Sequence, residues 1–440
     1  MSLLSKFKSD PLFAKVMRSS GSLFSNNTLA LGLSVVQGIM ATRLLGPAGF
    51  GLIGVVMAFA STVNSVFSFR MGELVVRYGG EYLNKQEKEQ ASALLKAASL
   101  TEAIVSLLAF LVVLATAQLA ETNLAKTPDI AWMFTFFAIN LLANFNTETS
   151  TGILQITERI KLQGTVNLIQ AIITTLIIAG AFFFGGNVTI VLIAYLIGKS
   201  ILGLGLFTLA QIQLREKLGG GWWRTPFSKL TTRREIFRFA FSSNISATII
   251  KLFRESELIW VGFFLDTTAV GYYRVAYTIT HFLAIPADPL IATTFPEINK
   301  LAVERAWGKL KSFLKRITAF SFSYNIAIGA GLILFGQWVI RIYSGADYLA
   351  AYPALVALTI GLVFNYILFW NRPLLLALGL PEFPVYVTLA AGVIKLALSF
   401  WLVPVYGVTA AGGLLSFYYI ASVGVMVVRG IVEIGNRESV

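Results

Sequence analysis

The chain has 440 residues, 56% hydrophobic and 13% charged, with a net charge of +13 and a mean hydropathy of +0.74. Soluble domains carry about 25% charged residues, so this composition describes an all-α, polytopic membrane protein whose core is helix packing within the bilayer. The absence of cysteine excludes disulfides, thiol catalysis and thiolate metal sites, and a single histidine excludes a His-rich metal site.

Residues 1–21 lack a continuous apolar run before Ser20, so no cleavable signal is expected there. Leu3, Leu4, Phe7, Phe13, Val16 and Met17, interleaved with Lys6, Lys8, Lys15 and Arg18, predict a basic amphipathic segment on the cytoplasmic membrane surface. A helical crossing needs roughly 20 apolar residues. Twelve such spans are predicted, at 22–45, 49–71, 92–119, 129–155, 162–185, 188–213, 237–265, 268–292, 315–343, 350–378, 383–404 and 407–430. The first two are separated only by Gly46-Pro47-Ala48-Gly49, a tight turn at the membrane edge. Six spans therefore make an N-lobe (22–213) and six a C-lobe (237–430), joined by a basic linker (214–236) and followed by a tail (431–440). In the linker, Gly219–Gly221 followed by Trp222, Trp223 and Arg224 predicts a flexible connection resting on anionic headgroups. Placing the N-terminus inside puts nearly all loop Lys and Arg on the cytoplasmic side and only Lys126 outside, so both termini are expected in the cytoplasm. The outer loops are short, the longest around Glu121–Pro128, and leave no room for an external catalytic domain.

The halves echo one another. Ser25-Asn26 at span 1 matches Ser243-Asn244 at span 7, and Leu45-x5-Gly51 matches Leu265-x5-Gly271. An even number of spans per half makes these parallel repeats about an axis along the membrane normal.

Charge at depth is the strongest functional signal. Lys251–Glu257, reading KLFRESE, lies inside an apolar segment, where each charge costs ~2.5–3.5 kcal/mol on the insertion scale. Asn244, Thr248, Lys251 and Glu255 share a helix face that Arg254 borders. Lys251–Glu255 and Arg254–Glu257 are at ion-pairing spacings. The face is either a set of internal salt bridges that lets the helix insert or the wall of a solute pathway. Span 8 aligns Arg274, Thr278, His281 and Asp288; span 4 aligns Asn140, Asn144, Thr147, Glu148 and Thr151; span 2 aligns Ser61, Asn64, Ser65 and Ser68. Span 10 carries Asn365 and Arg372 on one face, while Lys199 and Lys395 stand singly in spans 6 and 11, where a structural pairing and a functional role are equally open. Pro286, Pro289 and Pro373 mark kinks.

At depth, Lys199, Lys251, Arg254, Arg274, Arg372 and Lys395 outnumber Glu148, Glu255, Glu257 and Asp288. A cationic excess at low dielectric calls for an anion, and Arg and Lys suit phosphate. The expected cavity set is Lys251, Arg254, Arg274, Arg372, Lys199, Lys395, Asn144 and Asn244; Glu148, Glu255, Glu257 and His281 are candidates for ion or proton coupling. No phosphate-binding loop, nucleophile–base order or metal-ligand spacing is present, so neither an enzyme nor a cofactor is expected, and no nucleic-acid partner.

The stretch ATRLLGPAGFG (Ala41 to Gly51), with FRMGELVVRYGGEY (Phe69 to Tyr82) at the end of span 2, resembles the start of bacterial polysaccharide (O-antigen type) flippases. These belong to the multidrug/oligosaccharidyl-lipid/polysaccharide exporter superfamily. The resemblance implies twelve helices in two six-helix lobes arranged in a V, working by alternating access. It implies an undecaprenyl-pyrophosphate-linked oligosaccharide as substrate, moved from the inner to the outer leaflet of the plasma membrane. Lys251, Arg254 and Arg274 would then face pyrophosphate and sugar, with membrane lipids, a polysaccharide polymerase and chain-length machinery as partners, and a monomer as the default. Asn26-Asn27 stands where related peptidoglycan-precursor flippases carry an Arg-Asp pair, and those have 14 helices, which argues against a cell-wall substrate. The competing reading is an ion-coupled multidrug (cation) antiporter, which would need acids in its cavity. A membrane polysaccharide polymerase or ligase would need a large outer loop.

Overall fold

The computed structural model describes residues 11–68, 71–230, 236, 256–284 and 287–438. Among these the chain is helical throughout, with no strand. The helices are α1 (Pro11–Phe67), α2 (Met71–Leu74), α3 (Gly80–Asn84), α4 (Lys88–Ala120), α5 (Ala131–Ala143), α6 (Thr147–Ile156), α7 (Ile160–Phe183), α8 (Val188–Leu218), α9 (Glu257–Phe264), α10 (Thr267–Thr280), α11 (Ala287–Val303), α12 (Trp307–Ser344), α13 (Tyr352–Ile367), α14 (Asn371–Ala377) and α15 (Phe383–Glu438). Among the described residues, seven helical stretches are long and apolar enough to cross a membrane.

Two of those stretches each contain a pair of predicted spans. α1 is broken at Gly46 (φ 65°, ψ 179°), a left-handed φ that glycine adopts at little cost. Pro47 then starts the next helix, where its missing N–H is not needed. α15 is broken in the same way at Gly407 (φ 62°, ψ −145°), at the predicted boundary of spans 11 and 12. From Pro11 onward the predicted surface segment is continuous with the first span, and the tail as far as Glu438 continues α15. Predicted span 4 is instead two helices, α5 and α6, interrupted at Asn144–Asn146. Predicted span 8 is α10 followed by a 3-10 turn at His281–Leu283 and then α11. The part of span 7 that carries Asn244, Lys251, Arg254 and Glu255 lies outside the described residues.

The chain divides into two compact units: Met1–Leu44 with Phe59–Glu121 and Thr127–Thr248, and Leu45–Ala58 with Thr122–Lys126 and Ile249–Val440. In the first, a five-residue π turn (Val75–Gly79) separates α2 from α3. Its buried Val75 packs with Met71, Leu74, Tyr82, Leu94, Leu95 and Leu214. Trp222, Leu230 and Ile236 of the linker are buried in this core. Lys96 donates to the Thr225 carbonyl at 3.2 Å and sits over the Phe227 ring at 4.5 Å, and Lys229 pairs with Glu89 at 2.8 Å. Indole burial outweighs the freedom that the preceding glycines suggest.

In the second unit, the turn after Gly46 packs on the start of α10. A Cβ on Gly51 would lie 1.7 Å from the Thr267 carbonyl oxygen, and one on Gly271 would lie 2.1 Å from that of Pro47. Aligning Leu45 with Leu265 makes Pro47 the counterpart of Thr267 and Gly51 the counterpart of Gly271. The two aligned segments therefore pack on each other reciprocally, each glycine against the backbone of the other segment. Asp266 caps α10 by accepting from the Ala269 N–H at 2.8 Å, and Lys126 donates to the Leu265 carbonyl at 2.7 Å.

Candidate functional site

In the first unit the polar residues gather where α5 gives way to α6. Asn146 is buried and its amide donates to the Ser99 carbonyl at 3.3 Å. Asn144 donates to the Asn140 side-chain oxygen at 2.6 Å and to the Lys199 carbonyl on α8 at 3.0 Å. α8 approaches closely because Gly203 sits against the Ala143 carbonyl and Asn144. Asn144 was expected to face a cavity; much of its hydrogen bonding instead holds the helix break. Lys199 itself is exposed, midway along the apolar α8.

The break leaves the first N–H groups of α6 without helical partners. Glu102, buried in the middle of α4, supplies the acceptors: its carboxylate takes the Glu148 N–H at 2.8 Å and the Thr149 N–H at 2.9 Å. Sequence reasoning missed Glu102. The signal was available, since it is an acid inside the apolar run of predicted span 3, and it narrows the cationic excess. Glu102→Ala is expected to strand both N–H groups at a cost of roughly 1–3 kcal/mol each. Thermal unfolding in detergent should show a clear drop for the alanine variant and a smaller one for Glu102→Gln, which keeps an acceptor. Wild-type stability for Glu102→Ala would remove it from this role.

α6 then turns Thr147, Glu148, Thr151 and Gln155 toward Gly72, Glu73, Val76 and Arg77 of α2 and the π turn, around a cavity of about 490 Å³. Its floor is close-packed backbone: a Cβ on Gly72 would lie 3.0 Å from the Glu148 carbonyl oxygen, and one on Gly152 would lie 2.9 Å from that of Gly72.

In the second unit the deep charges are largely spoken for. Lys395 on α15 is 2% exposed, and its ammonium bonds the carboxylate of Glu257, itself 7% exposed, at the first turn of α9. The Tyr273 hydroxyl lies 3.4 Å from the same carboxylate, and the ammonium sits 5.6 Å from the Tyr418 ring centroid. Lys395 was expected in the cavity set and Glu257 among the coupling acids. The geometry makes them an internal pair, because a buried ammonium without an anion would keep its full desolvation cost. Arg254, the predicted local partner of Glu257, lies outside the described residues.

Arg274 on α10 is half-buried. It donates to the Phe50 carbonyl at 3.0 Å, stacks 4.1 Å above the Phe50 ring and approaches Met57 Sδ at 3.9 Å. It thereby fastens α10 to the turn after Gly46, and Gly54 leaves room for its side chain, since a Cβ there would lie 3.1 Å from the Arg274 Cδ. His281 is exposed and stacks on Tyr277 at 6.3 Å, and Arg372 at the start of α14 is exposed. Among the described residues no group of His, Asp and Glu is placed to hold a metal ion.

The chain is 22% identical over 351 residues to Inner membrane protein YghQ of Escherichia coli (strain K12), covering 78% of this chain and 96% of that protein. Its fold matches an inward-facing multidrug resistance MATE family transporter of the MOP superfamily with a TM-score of 0.74, at 14% identity and covering 92% of this chain and 95% of that one. It also matches the lipid II flippase MurJ in an inward closed conformation with a TM-score of 0.69, at 15% identity and covering 96% and 90%. A model of the polysaccharide biosynthesis protein family matches residues 16–302, well over half of the sequence, and the chain belongs to that family.

Proposed function

We propose that the chain is a flippase that moves an undecaprenyl-pyrophosphate-linked oligosaccharide from the inner to the outer leaflet of the bacterial inner membrane, for O-antigen, capsule or exopolysaccharide assembly. The observation that carries this reading is Lys199. It is a cation exposed at the middle of an apolar crossing helix, in a chain of a polysaccharide biosynthesis family. Lipid does not solvate such a charge, so it marks a wet path. An anionic pyrophosphate is the natural partner of Lys and Arg there. In this reading Lys199 and Arg372, together with Lys251 and Arg254, meet the pyrophosphate in turn during a cycle of alternating access. The cycle draws on an ion or proton taken up at Glu148, Glu255 or His281, or on the membrane potential acting on the anion. Twelve spans in two six-helix lobes, with both termini in the cytoplasm, complete the reading; the inner-membrane relative supports the location.

The test is binding by purified protein in nanodiscs. Undecaprenyl-pyrophosphate-linked oligosaccharide should bind and ethidium should not, and Lys199→Gln should weaken the glycolipid about tenfold, the loss of one charge-assisted contact. Ethidium binding without glycolipid binding would replace this reading with the multidrug antiporter.

A further inference from the structure

The open cavity lined by α6, α2 and the π turn is chemically unlike the cationic positions assigned to pyrophosphate. Its wall carries two acids, Glu73 and Glu148, against one cation, Arg77. That balance disfavours a phosphate, because the two carboxylates would repel its charge. The remaining polar groups are Thr147, Thr151 and Gln155. Carboxylates only accept hydrogen bonds, a guanidinium only donates, and hydroxyl and amide groups do both. The wall thus offers acceptors and donors side by side, the complement of a sugar hydroxyl, which also does both. Val76 is exposed on the same wall and gives an apolar surface for a sugar's C–H face. The cavity, at about 490 Å³, lies within the usual ~300–1,000 Å³ of small-ligand sites.

The site is also rigidly built. Glu102 fixes the start of α6 through two N–H groups, and Gly72 and Gly152 let the two backbones meet beneath the cavity. The π turn at Val75–Gly79 sets the direction of Val76 and Arg77, and such turns are common at functional sites. We propose that this cavity is a subsite for uncharged, hydroxyl-bearing sugar residues of the lipid-linked glycan, separate from the groups that meet the pyrophosphate. The proposal rests on the flippase reading.

The experiment uses the full chain in nanodiscs with two probes, undecaprenyl pyrophosphate carrying a neutral oligosaccharide and undecaprenyl pyrophosphate alone. The variants are Gln155→Ala and Glu73→Gln, both at exposed positions on the cavity wall. Each should weaken the glycosylated probe about tenfold while leaving the bare lipid unchanged. Equal weakening of both probes, or no change in either, would overturn the subsite and leave the flippase reading standing. Binding of neither probe by the wild-type chain would overturn both.

Discussion

Lys395→Met is expected to destabilise the protein by about 3–5 kcal/mol, because it leaves the Glu257 carboxylate buried without its cation. The Tyr273 hydroxyl cannot replace a full charge. Glu257→Gln should cost a comparable amount by orphaning the ammonium. The double variant Lys395→Met with Glu257→Gln should recover most of the loss, since a neutral amide beside an apolar side chain removes both desolvation costs at once. Thermal unfolding of the four proteins in detergent measures the coupling. Additive losses would show that the two residues do not act as a pair. A Lys395→Met protein with wild-type stability and weakened glycolipid binding would return Lys395 to the substrate path.

The second large effect lies at the turn after Gly46. Gly51→Ala places a methyl group 1.7 Å from the Thr267 carbonyl oxygen, and Gly271→Ala places one 2.1 Å from that of Pro47. Neither contact is with a flexible side-chain end, so backbone has to move, and overpacking of this kind costs roughly 1–3 kcal/mol or more. The chain has no cysteine, which makes a direct readout available. Thr267 is buried, so Thr267→Cys should react slowly with a membrane-impermeant maleimide. Adding Gly51→Ala should accelerate labelling severalfold as the turn is pushed off α10. Unchanged labelling together with unchanged thermal stability would refute the packing.

Much of the fold was legible because a bilayer imposes a blunt rule: apolar length is crossing length. The breaks at Gly46 and Gly407 were legible for a different reason, since a glycine followed by Pro47, or shortly preceded by Pro404, announces a turn locally. The break at Asn144–Asn146 carried no such mark. No glycine or proline sits there, and it is stabilised by Ser99, Glu102 and the Lys199 carbonyl, all distant in sequence. The same limit explains the deep charges. Spacing rules pair residues one helical turn apart, so they offered Arg254 to Glu257 and were silent on Lys395, which the structure brings to it from another helix. In the linker, three glycines suggested freedom, and the structure packs the tryptophan beside them into the core of the first unit. Glu73 and Arg77 lay inside the motif that carried the family resemblance, yet their shared cavity with α6 depends on a helix break that the sequence did not announce.

Positions that face each other directly across two packed segments obey an exclusion rule. Gly54 and Arg274 are counterparts when Leu45 is set against Leu265, and they meet. Two arginines there would contend for one space and one carbonyl, and two glycines would leave a hole. The guanidinium therefore reaches the ring and carbonyl of Phe50 across the surface that Gly54 leaves bare, and a side chain larger than glycine at position 54 would have to displace it.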